Sequence, residues 1–562
     1  AENGKALARL LAYPLLGHHG GMADFGSQAD EGTLAHRLSG PRLRAAPDWK
    51  SASVEPLPAA ECIFRELIPF MSVEARQPDA FATAFLLRML FSCLVDADFL
   101  DTEQRGVTTQ ESFYKTDAEV TEALYAIYNK MQSSDLNTFQ FKNLLSDDAM
   151  AGGGGRGDNN QGEELDEFRF GSSNTILRAM FTKYYQIIYT ANLLINKVAP
   201  ESEVKKMAIA EAKTFRAYAY FELVTLWGTA PLVTEPLDPD NYAQPNSTLE
   251  ELWGQIEKDL QEAIPDLPLK SQLSAAKKGN ISKGTAQSWL GKAYLYQKKY
   301  DEAAVVFDEV INSNEYALNP DFSMLTRKST EFGKESIFEV SYADELSTIT
   351  EGNTVVAYCG PRTPWFTAGT SGITETGWGW CGPRAELYDA FVAAGDVVRR
   401  KGTVISEQDL ISEFGGSFRD SEGNLPYGTE GYVRIKHGAF VDETPGEEYH
   451  TISGMNYRIT RYADVLLMAA EAYNRKSSPD DTKALSYINQ VRARAQMPDL
   501  TSRGDKLFED IKLERRLELA FEFVRYQDLI RWGDADKVLA DQGKKIPRGD
   551  GTYFDFPDAG FK

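Results

Sequence analysis

Two adjacent histidines near the start of the chain could bind a metal ion. His18 and His19 lie in the glycine-flanked turn "GHHGG", residues 17–21. Paired imidazoles bind divalent metals, but two ligands alone make an incomplete site. Further along, the apolar run "LLRMLFSCLVDAD" predicts a helix that ends in two aspartates, Asp96 and Asp98. The sequence therefore offers metal-binding chemistry here without a complete set of ligands.

A densely charged segment near the C-terminus, "ERRLELAFEFVRYQDLIRW", has the residue types of an acid–base site. Its charges recur at helical spacing, at which opposite charges three or four residues apart face each other. This pattern is typical of buried or half-buried ion pairs that join helices to a scaffold. We therefore predict a structural role for its charged members, which are Glu514, Arg515, Arg516, Glu518, Arg525 and Asp528.

Aromatic side chains concentrate in the glycine-rich segment "AYCGPRTPWFTAGTSGITETGWGWCGP", residues 357–383. In "GWGW" the two indoles share one side of an extended backbone, because alternate residues face the same way. Exposed tryptophans are energetically costly unless they bind something. This favours a binding role for at least one of the three tryptophans of the segment, Trp365, Trp378 and Trp380. The alternative is that the rings fill a gap between this segment and a helical scaffold. The candidates are Tyr358, Trp365, Phe366, Trp378 and Trp380.

The four cysteines, Cys62, Cys93, Cys359 and Cys381, form no C-x-x-C pair. A zinc ribbon or a thioredoxin-type site is therefore not indicated. Cys359 and Cys381 have matching contexts, "YCGPR" and "WCGPR". They could close a disulfide in an oxidising compartment or remain two buried thiols, and the sequence leaves both readings open.

Charge and composition narrow the classes of function and divide the chain. The net charge of −23 argues against a general affinity for nucleic acid. The sequence contains no run of 18 or more uncharged apolar residues, so it predicts no membrane-spanning helix. The residues that follow residue 1 do not have the pattern of a signal peptide. The first 98 residues hold three of the five histidines but one of 26 tyrosines and one of eight tryptophans. This shift predicts a domain boundary near residue 98.

From residue 117 onward the sequence predicts mainly helices. The first, capped by Thr116 or Asp117, has apolar residues at helical spacing, and long periodic segments follow at 174–198 and 205–228. "WLGKAYLYQKKYDEAAVVFDEVI" matches the tetratricopeptide pattern, with small residues where two antiparallel helices approach closely. Segments 461–475 and 482–495 form a second candidate pair. Between about 315 and 455 the helical period is lost, and only short strand-like runs such as "ESIFEVSYA" and "GYVRIKHGAF" occur. We expect a functional region there, because so long a stretch without helical period is usually functional.

Five segments, in order from residue 99 to the C-terminus, resemble the SusD/RagB family of nutrient-binding proteins. Besides the tetratricopeptide unit, they are "FLDTEQRGVTTQESFYKTDAEVTEALYAIYN", "FRAYAYFELVTLWGTAPLVTEPL", "YRITRYADVLLMAAEAYNR" and "ERRLELAFEFVRYQDLIRWG". The resemblance implies a mainly α fold with tetratricopeptide-like repeats and a large irregular ligand-binding region. It implies a non-enzymatic, lipid-anchored protein on the outer face of an outer membrane. Such a protein takes up oligosaccharides or polysaccharides, needs no cofactor, and passes them to a SusC-type TonB-dependent transporter.

The resemblance also implies a second part of the ligand site. In the family, a loop ahead of a long "Y-x-x-I…N" helix contributes to the site, and Tyr185, Ile188 and Asn192 match that helix here. The matching loop is "LLSDDAMAGGGGRGDNNQGEELDEFRFGSSN", residues 144–174, although its glycine tract also reads as a plain solvent-exposed linker. Besides Asp147, Asp158 and Arg169, its binding candidates are Asp148, Arg156, Asn159, Phe168 and Phe170.

Residues 1–98 resemble a different family. The "GHHGG" turn and the "SCLVDAD" helix are similar to the later half of the HD-nuclease domain of the CRISPR-associated helicase-nuclease, which would make His18, His19 and Asp96 metal ligands. The family's opening histidine and its His-Asp pair are absent, so we expect an inactive fragment, a separate small helical segment joined to residues 99–562 as in a chimera. "LFSC" before residue 94 also loosely fits a lipobox with Cys93 lipidated, whereas a buried helix is the simpler reading.

Two alternatives to glycan capture remain at this point. A tetratricopeptide scaffold could bind peptide or protein in a concave helical groove instead of on an aromatic loop. A metal-dependent phosphohydrolase in residues 1–98 would need further histidine or aspartate ligands near His18 and Asp96.

Overall fold

The computed structural model describes residues 113–343, 352–438, 440–444 and 453–562. The sequence predictions for His18, His19, Cys93 and Asp96 lie outside these residues. Within them the chain is mainly helical, as predicted. The helices are α1 Asp117–Gln132, α2 Asp135–Leu144, α3 Asn160–Asp166, α4 Thr175–Lys197, α5 Glu203–Trp227, α6 Leu249–Ala263, α7 Lys283–Tyr296, α8 Tyr300–Asn312, α9 Val355–Tyr358, α10 Ala385–Ala394, α11 Val397–Thr403, α12 Glu407–Phe414, α13 Tyr462–Arg475, α14 Asp481–Arg494, α15 Gly504–Leu519, α16 Arg525–Trp532 and α17 Ala535–Val538.

Short two-stranded antiparallel pairs connect these helices. They pair β1 Ala149–Met150 with β4 Gly382–Pro383, β2 Ser336–Val340 with β8 Tyr457–Arg461, β3 Phe366–Thr367 with β6 Ser417–Phe418, β5 Val404–Ser406 with β7 Tyr432–Arg434, and β9 Lys545–Pro547 with β10 Tyr553–Asp555. The predicted strand runs around "ESIFEVSYA" and "GYVRIKHGAF" are confirmed as β2 and β7. In three of the pairs the two strands lie at least 50 residues apart in sequence, so these pairings join distant segments to one another.

The long helices stack side by side. Helix α4 packs on α1 and α5, α5 on α6, α6 on α7, α7 on α8, and α8 on α13, which contacts α14 and α15. The first helix begins as predicted, because Thr116 accepts a hydrogen bond from the Glu119 backbone and Glu119 reaches back to the Thr116 backbone. No described helix is both long and apolar enough to cross a membrane.

The predicted tetratricopeptide unit is confirmed as α7 and α8. A Cβ at Gly291 would lie 2.5 Å from the ring of Phe307, so glycine is what allows the two helices to approach. Trp289, also part of the pattern, is buried and donates its indole hydrogen to Thr460 Oγ1 at 2.9 Å. The second predicted pair is confirmed as α13 and α14.

The prediction of a region without helices between about 315 and 455 is wrong in part. Helices α10, α11 and α12 occupy residues 385–414. Each has ten residues or fewer, which is too short for a helical period to stand out from the neighbouring glycines. Side chains cap the N-termini of α11 and α12: Asp396 accepts from the Arg399 backbone, and the Ser406 hydroxyl accepts from the Asp409 backbone.

The predicted ion pairs of the C-terminal segment are confirmed. Arg515 is fully buried and bonds Asp464 of α13 at 2.7 Å and Asp528 of α16 at 2.8 Å. Glu518 is also fully buried and accepts from three arginines on three different elements, which are Arg399, Arg461 and Arg494. The nearby arginines hold the pKa of Glu518 at about 2 in spite of its burial. These residues therefore join the region between about residues 315 and 455, which we call the irregular layer, to the stacked helices.

Candidate functional site

Three aromatic rings meet at the surface of the irregular layer. Tyr358 lies with its ring centroid 5.1 Å from that of Trp378 and 4.9 Å from that of Trp380, and the two indoles are 5.4 Å apart. Trp378 is 43 % exposed, and the other two rings are half-buried. We call these three residues the aromatic platform. Such a surface can stack on the apolar face of a ligand ring without further rearrangement.

Backbone hydrogen bonds hold the platform in place. The amides of Trp378 and Trp380 donate to the carbonyls of Ala357 and Tyr358 at 3.0 and 2.9 Å, so the "GWGW" segment runs beside the end of α9. Gly379, between the two indoles, has a φ of +74° and therefore lies in the left-handed region. The sequence predicted two indoles on one side of an extended backbone; the two rings do meet, but Gly379 interrupts the extended backbone between them.

The glycine-rich loop before α3 lies directly against this platform. Trp380 Nε1 donates to Asp158 Oδ2 at 3.3 Å, and Asn159 Nδ2 donates to the Trp380 carbonyl at 3.3 Å. A Cβ at Gly152 would collide with the carbonyl oxygen of Gly379, so the loop needs glycine at that point. Two segments more than 200 residues apart in sequence therefore form one site.

A donor and an acceptor border the rings. The guanidinium of Arg362 lies 3.9 Å from the Asp158 carboxylate and donates to the Trp378 carbonyl at 3.4 Å, both at the long end of their ranges. Arg362 Nε is buried and has no hydrogen-bond partner among the described residues, so the exposed part of the guanidinium is what can reach a ligand. Both side chains are partly exposed, so they keep hydrogen-bonding capacity for a ligand beside the platform.

Arg156 braces the loop instead of facing a ligand. Its guanidinium pairs with Glu163 at 3.3 Å and with Glu167, and it donates to the Tyr427 hydroxyl at 3.2 Å. It also stacks over the Phe556 ring at 4.5 Å. Burial raises the pKa of Glu163 in this cluster. The charge of Arg156 is thus committed to holding the loop against the C-terminal segment.

The other predicted site residues lie away from the platform or face inward. Asp148 is 2 % exposed and bonds Arg516 at 2.8 Å, while Asp147 pairs with Arg525 at 2.8 Å. Phe168 packs on Phe170, Tyr526 and Phe561, and Phe366 is buried against Phe418. Trp365 is half-buried, and its indole nitrogen has no hydrogen-bond partner among the described residues. We therefore leave these residues out of the site proposed below.

Several residues of this region were missed at the level of sequence. Arg362 stands inside the aromatic segment, and a lone cation among aromatic residues was a usable signal. Tyr427 and Phe556 carry no such signal, because they reach Arg156 only through the fold.

A narrow cleft with a volume of about 30 Å³ opens beside the platform. It is lined by both edges of the aromatic segment and by the 426–434 segment, including Gly360, Arg362, Gly379, Tyr427 and Tyr432. A second cavity, also of about 30 Å³, lies among the scaffold helices around Lys142 and Glu222. These two charges pair with each other at 2.8 Å, and we assign no ligand there.

No metal-binding cluster of histidine, cysteine or carboxylate residues occurs in the part of the chain that the structure describes.

A scaffold of stacked helices that carries an exposed aromatic surface on irregular loops is typical of a class of binding protein, and the comparisons with known proteins identify the family. The model described as the SusD family matches residues 419–559, and one described as starch-binding, associating with the outer membrane, matches residues 98–295. SusD-like protein P2 of Formosa agariphila is 30% identical over 484 residues, which cover 81% of this chain and 91% of that protein. The chain belongs to the SusD family.

Solved structures agree with this assignment. A laminarin binding SusD-like protein is 31% identical, with a TM-score of 0.68, over 76% of this chain and 94% of its own. Surface glycan-binding protein A from Bacteroides thetaiotaomicron, in complex with laminarihexaose, is 23% identical, with a TM-score of 0.62, over 75% of this chain and 92% of its own. The second likeness supports the fold alone.

Proposed function

We propose that this protein captures an oligosaccharide on the aromatic platform and holds it without changing a covalent bond. Sugar rings present apolar C–H faces with hydroxyl groups at their edges. The face of a ring can stack on Trp378, Tyr358 or Trp380, while Asp158 accepts and Arg362 donates hydrogen bonds to hydroxyls. The exposed Trp378 ring, bordered by these two charged groups, is the observation that carries the proposal.

Laminarin is the first glycan to test, because the 31%-identical structure is described as laminarin binding. Isothermal titration of the full chain with laminarihexaose should give measurable heat and a single class of sites. We expect Trp378→Ala and Trp380→Ala each to lower the affinity at least about tenfold, equivalent to ~1.4 kcal/mol.

Tyr242→Ala is the matched control. Tyr242 is 68 % exposed on the loop between α5 and α6, outside the platform, so its removal should leave the affinity unchanged. Wild-type affinity in both tryptophan variants would refute the platform as the site.

Titration with a peptide library pool would test the alternative of a peptide ligand. Chromatography of the oligosaccharide after incubation with the protein should show no shortening of the oligosaccharide.

The same proposal includes a place and a partner. The protein acts at the outer membrane, on its outer face and anchored by a lipid, and delivers the glycan to a SusC-type TonB-dependent transporter. The match to a family model described as associating with the outer membrane supports this location. Co-purification with a co-expressed transporter of that type, and surface labelling of intact cells, would test the partner and the location separately.

A further inference from the structure

The two described cysteines lie directly beneath the aromatic platform. Cys359 follows Tyr358, Cys381 follows Trp380, and they are 5 % and 0 % exposed. Both are buried thiols in this structure, and they lie close enough that Cys359 adds to the effect of burial in raising the pKa of the Cys381 thiol.

Backbone contacts hold both cysteines close together independently of the sulfur atoms. The Trp380 amide donates to the Tyr358 carbonyl, and the Gly379 amide donates to the Gly360 carbonyl, each at 2.9 Å. The Cys359 carbonyl accepts from Arg434 Nη2, also at 2.9 Å. Cys381 leads into β4, which pairs with β1. Because these backbone hydrogen bonds hold the segments of both cysteines side by side, a disulfide can form here with little movement of the chain.

We propose that Cys359 and Cys381 form a disulfide in the exported protein. Each thiol loses its proton, a sulfur–sulfur bond forms, and two electrons reduce the disulfide of a donor, either a thiol–disulfide oxidoreductase or a small disulfide, to two thiols. The inference rests on the proposed function in one respect, since an outer-membrane location would expose the protein to an oxidising compartment during export.

The bond would close the segment that carries most of the ligand site. Arg362, Trp378 and Trp380 all lie between the two cysteines, and Tyr358 is adjacent to one of them. A closed loop has fewer conformations to lose on ligand binding, so the oxidised form should bind more tightly than the reduced form. Burial raises the pKa of the Cys381 thiol, which makes the folded thiol a poor nucleophile, so the bond should form during folding.

The test uses the full chain exported in a bacterium with a disulfide-forming envelope. The purified protein is denatured without reductant, free thiols are alkylated, and its peptides are mapped by mass spectrometry. We expect the Cys359 and Cys381 peptides to be joined, with a mass two hydrogens lower than the sum of the two. Complete alkylation of both cysteines, or pairing of either with Cys62 or Cys93, would overturn the inference.

A second measurement tests the effect on the platform. After denaturation and refolding in reductant, the wild type should bind laminarihexaose several-fold more weakly and melt at a lower temperature than the oxidised protein. The Cys359→Ser/Cys381→Ser variant should match the reduced protein and ignore reductant. Equal melting temperatures and affinities for the mapped oxidised and reduced proteins would overturn the preorganising role. Peptide mapping needs no glycan, so loss of the proposed function would leave the disulfide result standing.

Discussion

Removing the charge of Glu518 should weaken the fold by an amount that follows from its surroundings. Glu518 is fully buried and accepts from Arg461 at 3.0 Å, from Arg399 at 3.3 Å and from Arg494. Its pKa falls from the ordinary 4.5 to about 2. This lowering of the pKa corresponds to roughly 3 kcal/mol in favour of the charged form.

Glu518→Gln replaces the carboxylate with a neutral group of the same shape, as protonation would. We expect the free energy of unfolding at pH 7 to fall by about 3 kcal/mol, within the range seen when one partner of a buried pair is removed. For a folded region of roughly 450 residues, whose unfolding entropy is about 0.9 kcal/mol per kelvin, this is a fall of about 3–4 °C in Tm.

Guanidinium unfolding followed by circular dichroism, and calorimetric Tm, are the assays. Glu509→Gln is the matched control, because Glu509 lies on the same helix with a side chain 62% exposed and pairs only at the surface. It should change stability by less than about 0.5 kcal/mol.

The pH dependence gives a second check on Glu518. Its folded pKa is depressed, so its contribution is complete above the unfolded value of 4.5 and is lost as pH falls toward 2. The gap between wild type and Glu518→Gln should therefore close over that window. A gap that is absent at pH 7, or that persists unchanged at pH 3, would refute the assignment of the stabilisation to the charge.

Three further predictions concern the scaffold and the N-terminal segment. Gly291→Ala should destabilise the fold by about 1–3 kcal/mol in chemical unfolding, because its Cβ would press on Phe307, whereas Gly254→Ala, with open space around it, should be neutral or stabilising by up to ~1 kcal/mol. His437 is fully buried beside Arg434, Lys436, Arg458 and Arg461, and burial is the main cause of a pKa well below 6.5. Because the unfolded state binds a proton at His437 below about pH 6.5 and the folded state does not, the free energy of unfolding should fall by up to ~1.4 kcal/mol per pH unit below that value. His437→Asn should flatten this dependence between pH 6.5 and 5, as measured by chemical unfolding. An unchanged slope would exclude His437 as its source. Deleting residues 1–98 should leave the Tm of the remaining chain unchanged in calorimetry, and a large fall would show that the segment is an integral part of the fold.

The sequence was sufficient to predict the parts of the fold that depend on neighbouring residues. The tetratricopeptide unit at α7 and α8 is recognisable because Gly291 and Phe307 must meet within one helical pair. The role of Glu518 was predictable in kind, since buried charges at helical spacing need partners. Its actual partners were not predictable, because Arg399 and Arg461 lie on elements more than 50 residues away.

The two segments that form the candidate site were predictable from the sequence, but their contacts with each other were not. Composition marked the aromatic segment and the glycine-rich loop, but not which polar groups of the loop reach the rings. Asp158 faces Trp380, whereas Asp148, equally polar and ten residues earlier, faces Arg516. Periodicity and composition do not distinguish these two aspartates, because long-range packing decides the direction in which each one points.

The angle between the two indoles has a consequence for the shape of the ligand. The planes of Trp378 and Trp380 are 89° apart, so the platform is a corner instead of a flat wall. A straight, ribbon-like polymer can lie flat on one indole at a time. A chain that turns by about a right angle within a few units can lie against both, so discrimination between glycans of identical composition can arise from the curvature of their backbones.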